Sequence, residues 1–144
     1  MKTIIKISAM LALAWIASSC NKEKPEKAVA EFKIMKMFPE GLREVDTIYI
    51  NDFVIFKAEI RNEMIVFYPG TSGYRYSLCV ENGGDNRGMA ASNGELNYRY
   101  FSGRPDLFVQ RTDTIACVAT NYGNWSKDRD RQVVTKTLVI LPIP

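Results

Sequence analysis

The sequence predicts an all-β chain, a β-sandwich behind an N-terminal export leader. Runs rich in β-branched and aromatic residues recur along it, at residues 32–38, 47–50, 53–60, 64–68, 74–81, 95–101, 112–120 and 132–141. Clusters of glycine, proline and asparagine such as "YPGTSG", "ENGGDNRG" and "SNGE" separate these runs, as tight reversals require. Beyond residue 32 no stretch keeps the period of a long helix. Many short strands at this spacing suit a sandwich, and a small closed barrel satisfies the same pattern.

The elements follow in chain order. With 144 residues, 47% of them hydrophobic and 24% charged, the chain can build one core and not two. Residues 1–19 have the parts of a signal peptide: Lys2 and Lys6, an apolar stretch over 7–17, then Ser18 and Ser19. A bilayer-spanning helix needs about 20 apolar residues, and here polar side chains begin at Ser18. The small residues before Cys20 resemble the lipobox of bacterial lipoproteins. That resemblance implies cleavage just before Cys20, a lipid on its sulfur, and a mature protein held on the membrane by that anchor.

Residues 20–31 are then expected to form the lipidated cysteine and a flexible tether. Lysine, glutamate and proline dominate this stretch, which as an extended chain reaches roughly 35 Å. The string "SSCNKE" also resembles lipoproteins of the Bacteroidota, many of which reach the cell surface with help from acidic residues after the cysteine. Here Lys22, Glu23, Lys24, Glu26 and Lys27 alternate in sign. The expected location is therefore the outer membrane, facing either the periplasm or the surface. Removing the leader leaves 17 basic against 16 acidic side chains and no basic stripe, so no nucleic-acid partner is expected.

The domain proper is expected over 32–144. Within 53–60, Val54, Phe56, Ala58 and Ile60 alternate with Ile55, Lys57 and Glu59, the pattern of a strand covering one side of a core. The same alternation in 74–81 sets Tyr74, Tyr76, Leu78 and Val80 inward and leaves Cys79 outward with Arg75, Ser77 and Glu81. In 112–120, Ile115, Cys117 and Ala119 form a core face. The two phases predict that Cys79 and Cys117 are free thiols of unlike burial; an oxidising envelope leaves a disulfide as the alternative.

"DFVIFKAEIRNEMIVFYPG", the "YRY" at 98–100, "IACVATNYGNW" and the closing "VVTKTLVIL" together resemble the PKD-like domains of Bacteroidota lipoproteins over about residues 47–141. The tryptophan-containing segment of that family is replaced by Val66, Phe67, Tyr68, Pro69 and Gly70, and its compact turn is expanded to "FSGRPDLFVQRT". The resemblance implies an Ig-like antiparallel β-sandwich that serves as a spacer, an adhesion module or a glycan-associated binding module.

Catalytic chemistry is not expected. The chain has no histidine, which removes the usual nucleophile activation and zinc ligation. "GTSGY" approaches a nucleophile elbow, but Gly73 arrives one residue early. Asp128 and Asp130 lie in "SKDRDRQ" among Lys127, Arg129 and Arg131, which disfavours both a glycosidase pair and a calcium site; no metal or cofactor is expected. The sharpest candidate site is the connection within 119–132. There Asn121, Gly123 and Asn124 favour a turn presenting Tyr122, Asn124, Trp125, Asp128 and Arg129 to a ligand, although the residues slightly favour Trp125 folded back as a plug over the sandwich end. The expected function is a non-catalytic binding module for a glycan or another extracellular ligand. The alternative is a structural or assembly subunit contacting other envelope proteins, which an uncovered apolar strand face would favour.

Overall fold

The computed structural model describes residues 24–104, 107–123 and 128–144. Two β-sheets pack face to face. The first holds β2 (Gly41–Glu44), β1 (Phe32–Phe38), β4 (Phe53–Ala58) and β7 (Glu95–Arg99) in that order. The second holds β3 (Thr47–Tyr49), β9 (Arg129–Leu141), β8 (Arg111–Tyr122), β5 (Met64–Tyr68) and β6 (Met89–Ala90). Strands β1, β4 and β7 stand as A, B and E of an Ig-like sandwich, and β5, β8 and β9 as C, F and G. Every pairing is antiparallel except β3 with β9, which is parallel.

The core follows from alternation. Phe32 and Ile34 of β1, Val54, Phe56 and Ala58 of β4, Ile65 and Phe67 of β5, and Ile115, Cys117 and Ala119 of β8 all turn inward and are buried. Burying one such aliphatic or phenyl side chain contributes about 1.5–3 kcal/mol. Ile60, expected on the same face as Val54, is exposed because β4 ends at Ala58.

Residues 74–81 correct the sequence reading. They form no strand but two short 3-10 turns, Tyr76–Leu78 and Val80–Asn82. Gly83 adopts φ +83, and a side chain on Gly84 would strike the Leu78 carbonyl, so the "NGG" string permits a tight return that alternation cannot describe. The burial is inverted as a result: Cys79 is fully buried, while Leu78 is 49% and Val80 63% exposed. This excursion lies over the outer face of the second sheet. Tyr76 meets Tyr68 edge to face at 5.3 Å, and Arg131 reaches both Glu81 and the Tyr76 hydroxyl. Strand β8 is consequently buried on both sides, with Ala116, Val118 and Thr120 closed off as well.

Residues 26–30, expected as part of a flexible tether, are held by the domain. Ala28 and Ala30 are fully buried, and side chains of the domain hold the backbone on either side of them. The Ala28 N–H donates to Asp130 Oδ2 at 2.6 Å, the Ala30 N–H to Gln132 Oε1 at 2.7 Å, and the Val29 N–H to Asn62 Oδ1 at 2.8 Å. Asn62 returns a bond to the Val29 carbonyl and Asn121 one to the Glu26 carbonyl. Small alanines let the chain approach closely, so residues from Glu26 onward belong to the folded domain.

Both described cysteines are free and buried, so the expected contrast in exposure is absent. Burial pushes the Cys117 thiol up to about 12. The folded protein should therefore resist alkylation at pH 8, whereas Cys79 and Cys117 should both react once it is denatured without reductant. A titration of thiols before and after denaturation checks this; absence of reactive thiol at these two positions after denaturation would show a bridge.

Candidate functional site

Of the sequence-predicted site, Tyr122, Asp128 and Arg129 lie at one end of the sandwich, where β8 ends and β9 begins. Tyr122, 37% exposed, closes β8 and rests its hydroxyl 3.8 Å from the Met64 sulfur. Asp128 and Arg129 are exposed where the chain enters β9, and the Gly123 N–H donates to the Asp128 carbonyl at 2.7 Å. Asn124 and Trp125 lie outside the described residues, as does Cys20. Asp130 receives the Ala28 N–H and Arg131 pairs with Glu81, so these two charges do structural work and not the mutual neutralisation read from "SKDRDRQ". A shallow groove of about 290 Å³ lined by Lys24, Glu26, Arg61, Glu63 and Tyr122 joins this tip to the incoming N-terminal segment.

A larger feature lies on the outer face of the first sheet, towards the opposite end. Cross-strand register aligns Leu42 with Met37 and Phe53 with Arg99, and β1 runs beside β4. These side chains share one face. Met37 is 66%, Phe53 63% and Phe101 67% exposed, and Leu42 is exposed too. The Arg99 guanidinium lies 5.0 Å from the Phe53 ring centre and 5.8 Å from that of Phe101, which orders both rings around one cation. Its Nε donates to the Asn51 carbonyl at 3.1 Å. Asn51 sits at φ +74 in the turn before β4, and its side chain accepts the Ser102 N–H, so one strained asparagine fixes both neighbours of the row. Among the described residues Arg99 has no carboxylate partner.

The alternation of β4 sets Ile55 on its outer face beside Phe53. In "DFVIFKA" both alternating faces are apolar, since Phe53 and Ile55 oppose Val54 and Phe56. The same holds for Met35 and Met37 against Phe32 and Ile34. That doubled pattern was the available signal.

A polar recess of about 460 Å³ lies beside the packed part of the excursion on the second sheet, walled by Arg75, Ser77, Asn82, Thr112, Thr114 and Thr135. The Ser77 and threonine hydroxyls have no hydrogen-bond partner among the described residues. Beside it Asp113, on the inward phase of β8, is 9% exposed at its side chain and accepts from Arg111 at 3.0 and 3.1 Å. Burial raises the Asp113 pKa, with Arg111 and Arg75 opposing that shift. Among the described residues no cluster of three metal-ligating side chains occurs. Comparison with protein-family models, curated proteins and solved structures finds no match.

The Asp113 shift fixes a sign. A carboxyl whose folded pKa lies above its unfolded value binds its proton more tightly in the native state, so stability falls as pH rises from the ordinary aspartate range through the folded pKa. Melting curves across that acidic window should show this slope, and Asp113→Asn should flatten it. An unchanged slope in the variant would assign it to other carboxylates.

Proposed function

We propose that this protein is a non-catalytic subunit of the cell envelope, an outer-membrane lipoprotein with a divergent PKD-like domain, whose first sheet docks other envelope proteins. The uncovered row of Leu42, Met37, Phe53 and Phe101 around Arg99 carries this reading. Contiguous apolar surface of this kind marks interaction sites, and aromatic, methionine and arginine side chains are the types enriched in protein interfaces. The cation is already oriented by Asn51, so little side-chain freedom remains to be lost on docking. A photo-reactive residue at position 53 should cross-link a discrete envelope protein in intact cells, while one at position 33 should not. Met37→Ser combined with Phe101→Ser should remove that product and leave stability within about 0.5 kcal/mol, as expected of exposed positions. Equal cross-linking from both positions would exclude the row as the docking face.

A second reading, a binding module for a glycan or another extracellular ligand, is favoured by the hydroxyl-walled recess with Arg75 and Asn82 at its side. Hydroxyl, amide and guanidinium groups suit a polyhydroxylated ligand. Both readings share the anchor. Wild-type protein should incorporate labelled fatty acid and partition with membranes, and Cys20→Ala should do neither; equal labelling of the variant would remove the lipoprotein assignment.

A further inference from the structure

We propose that the free edge of β7 accepts an extended strand from a partner protein, an inference that rests on the docking reading of the apolar row and specifies its geometry. β7 is the terminal strand of the four-stranded sheet. The Ala58 N–H bonds the Gly94 carbonyl at 2.8 Å and the Tyr100 N–H bonds the Asp52 carbonyl at 3.3 Å, so the even-numbered residues of this stretch turn their backbone groups towards β4. The odd-numbered ones face away. At Glu95 these outward groups are satisfied by Ser92, at 2.9 and 3.0 Å. At Asn97 and Arg99 they have no partner among the described residues, and both residues are exposed.

This edge is open for a topological reason. An Ig-like sandwich of the A-B-E-D type places strand D here, next to E. The chain instead sends the segment after β5 to β6, which pairs with β5 on the other sheet. The remaining edge strands are short, with 4 residues in β2, 3 in β3 and 2 in β6, a common way of blunting an edge. β7 has 5 residues and carries neither proline nor lysine.

The chemistry of the occupant follows from what borders the edge. A strand added beside β7 would extend the outer face by about 4.8 Å and bring its alternate side chains against Arg99 and Phe101. Among the described residues Arg99 has no counter-ion, so the fitting segment carries apolar residues at alternate positions and an aspartate or glutamate across from Arg99. A second copy of β7 meets these requirements less well. Antiparallel pairing centred on Asn97 needs the outward groups of Glu95, already bonded to Ser92, pairing centred on Arg99 opposes two guanidinium groups, and pairing centred on Tyr98 sets Asn97 and not a carboxylate across from Arg99.

The test uses the full mature protein in mild detergent and a short acetylated peptide of alternating valine and threonine with one central glutamate. Residue-resolved hydrogen exchange should slow by about tenfold or more at the Asn97 and Arg99 amides when the peptide is saturating. Replacing the glutamate by lysine should weaken binding at least about fivefold, and Arg99→Glu should reverse that preference, as charge complementarity requires. Asn97→Pro, which removes an outward N–H, should abolish binding; if that variant fails to fold, the Arg99→Glu reversal decides. No binding, or indifference to the charge swap, would overturn the proposal. Binding that perturbs Phe53 and Met37 but leaves the two amides unprotected would overturn strand addition while keeping the face as a docking surface, and a missing cross-link from position 53 would remove the face itself.

Discussion

A continuous file of aromatic rings holds the two sheets in register. Phe32 meets Phe67 at 5.6 Å, Phe67 meets Phe56 at 5.4 Å, Phe56 stacks on Tyr98 at 6.2 Å, and Tyr98 meets Tyr100 edge to face at 5.0 Å. The file passes from β1 through β5 and β4 to β7, crossing between the sheets twice. Its far end is tied by hydrogen bonds, from the buried Tyr100 hydroxyl to the Pro69 carbonyl and between the Tyr98 hydroxyl and Thr71, both 2.7 Å. Those two bonds place β7 against the segment leaving β5. A strand on its outer side is therefore not needed to keep β7 in the sheet, and its edge can stay open.

The two outer faces have been given opposite treatment by the same chain. Over the second sheet, the excursion between β5 and β6 contributes Tyr76, Cys79 and Glu81, and the surface beneath becomes a small second core. Cys79 is buried there without joining the inter-sheet cluster. Over the first sheet nothing among the described residues takes that position. Ion pairs occupy its other end, where Lys57 meets Glu95 at 2.8 Å, and the side chains become apolar towards Phe53 and Phe101. An apolar surface left beside a charged one on the same four strands has the layout of a bounded contact, with a polar rim and an apolar centre.

Most of the sandwich was legible because its strands obey the two-residue period. The reading of 32–38 and 64–68 matches β1 and β5 in full, and β8 and β9 differ only at their ends. The failures share a cause. Residues 74–81 carry a strand-like alternation of aromatics, but two successive 3-10 turns and the Gly83–Gly84 return decide the local path, and these depend on the β8 surface underneath. β2 and β6 are too short to show a period. "AVA" at 28–30 looked like part of a charged tether, because its stabilising partners, Asn62, Asp130 and Gln132, lie far away in sequence. As for the site, Tyr122, Asp128 and Arg129 lie where β8 ends and β9 begins, a position their place between two strands implies, but which end of the fold the N-terminal segment occupies is a tertiary fact.

That fact orders the candidate surfaces. The segment Glu26–Ala30 docks between the turn that follows β4 and the adjoining ends of β8 and β9 at Asn121, Asp130 and Gln132, and β4 runs from Phe53 towards that same end. With a lipid on Cys20, about five residues would separate the anchor from the docked chain, a reach of roughly 17 Å when extended. On the proposed lipid anchor, such a leash would keep Tyr122 and its neighbours near the bilayer. The β4 strand spans 6 residues, or about 20 Å at its usual rise, and carries Phe53 at its other extremity. Under that proposed anchoring, Phe53, Arg99 and Phe101 would stand on the part of the domain furthest from the membrane, where the proposed partner strand would approach the β7 edge without meeting lipid.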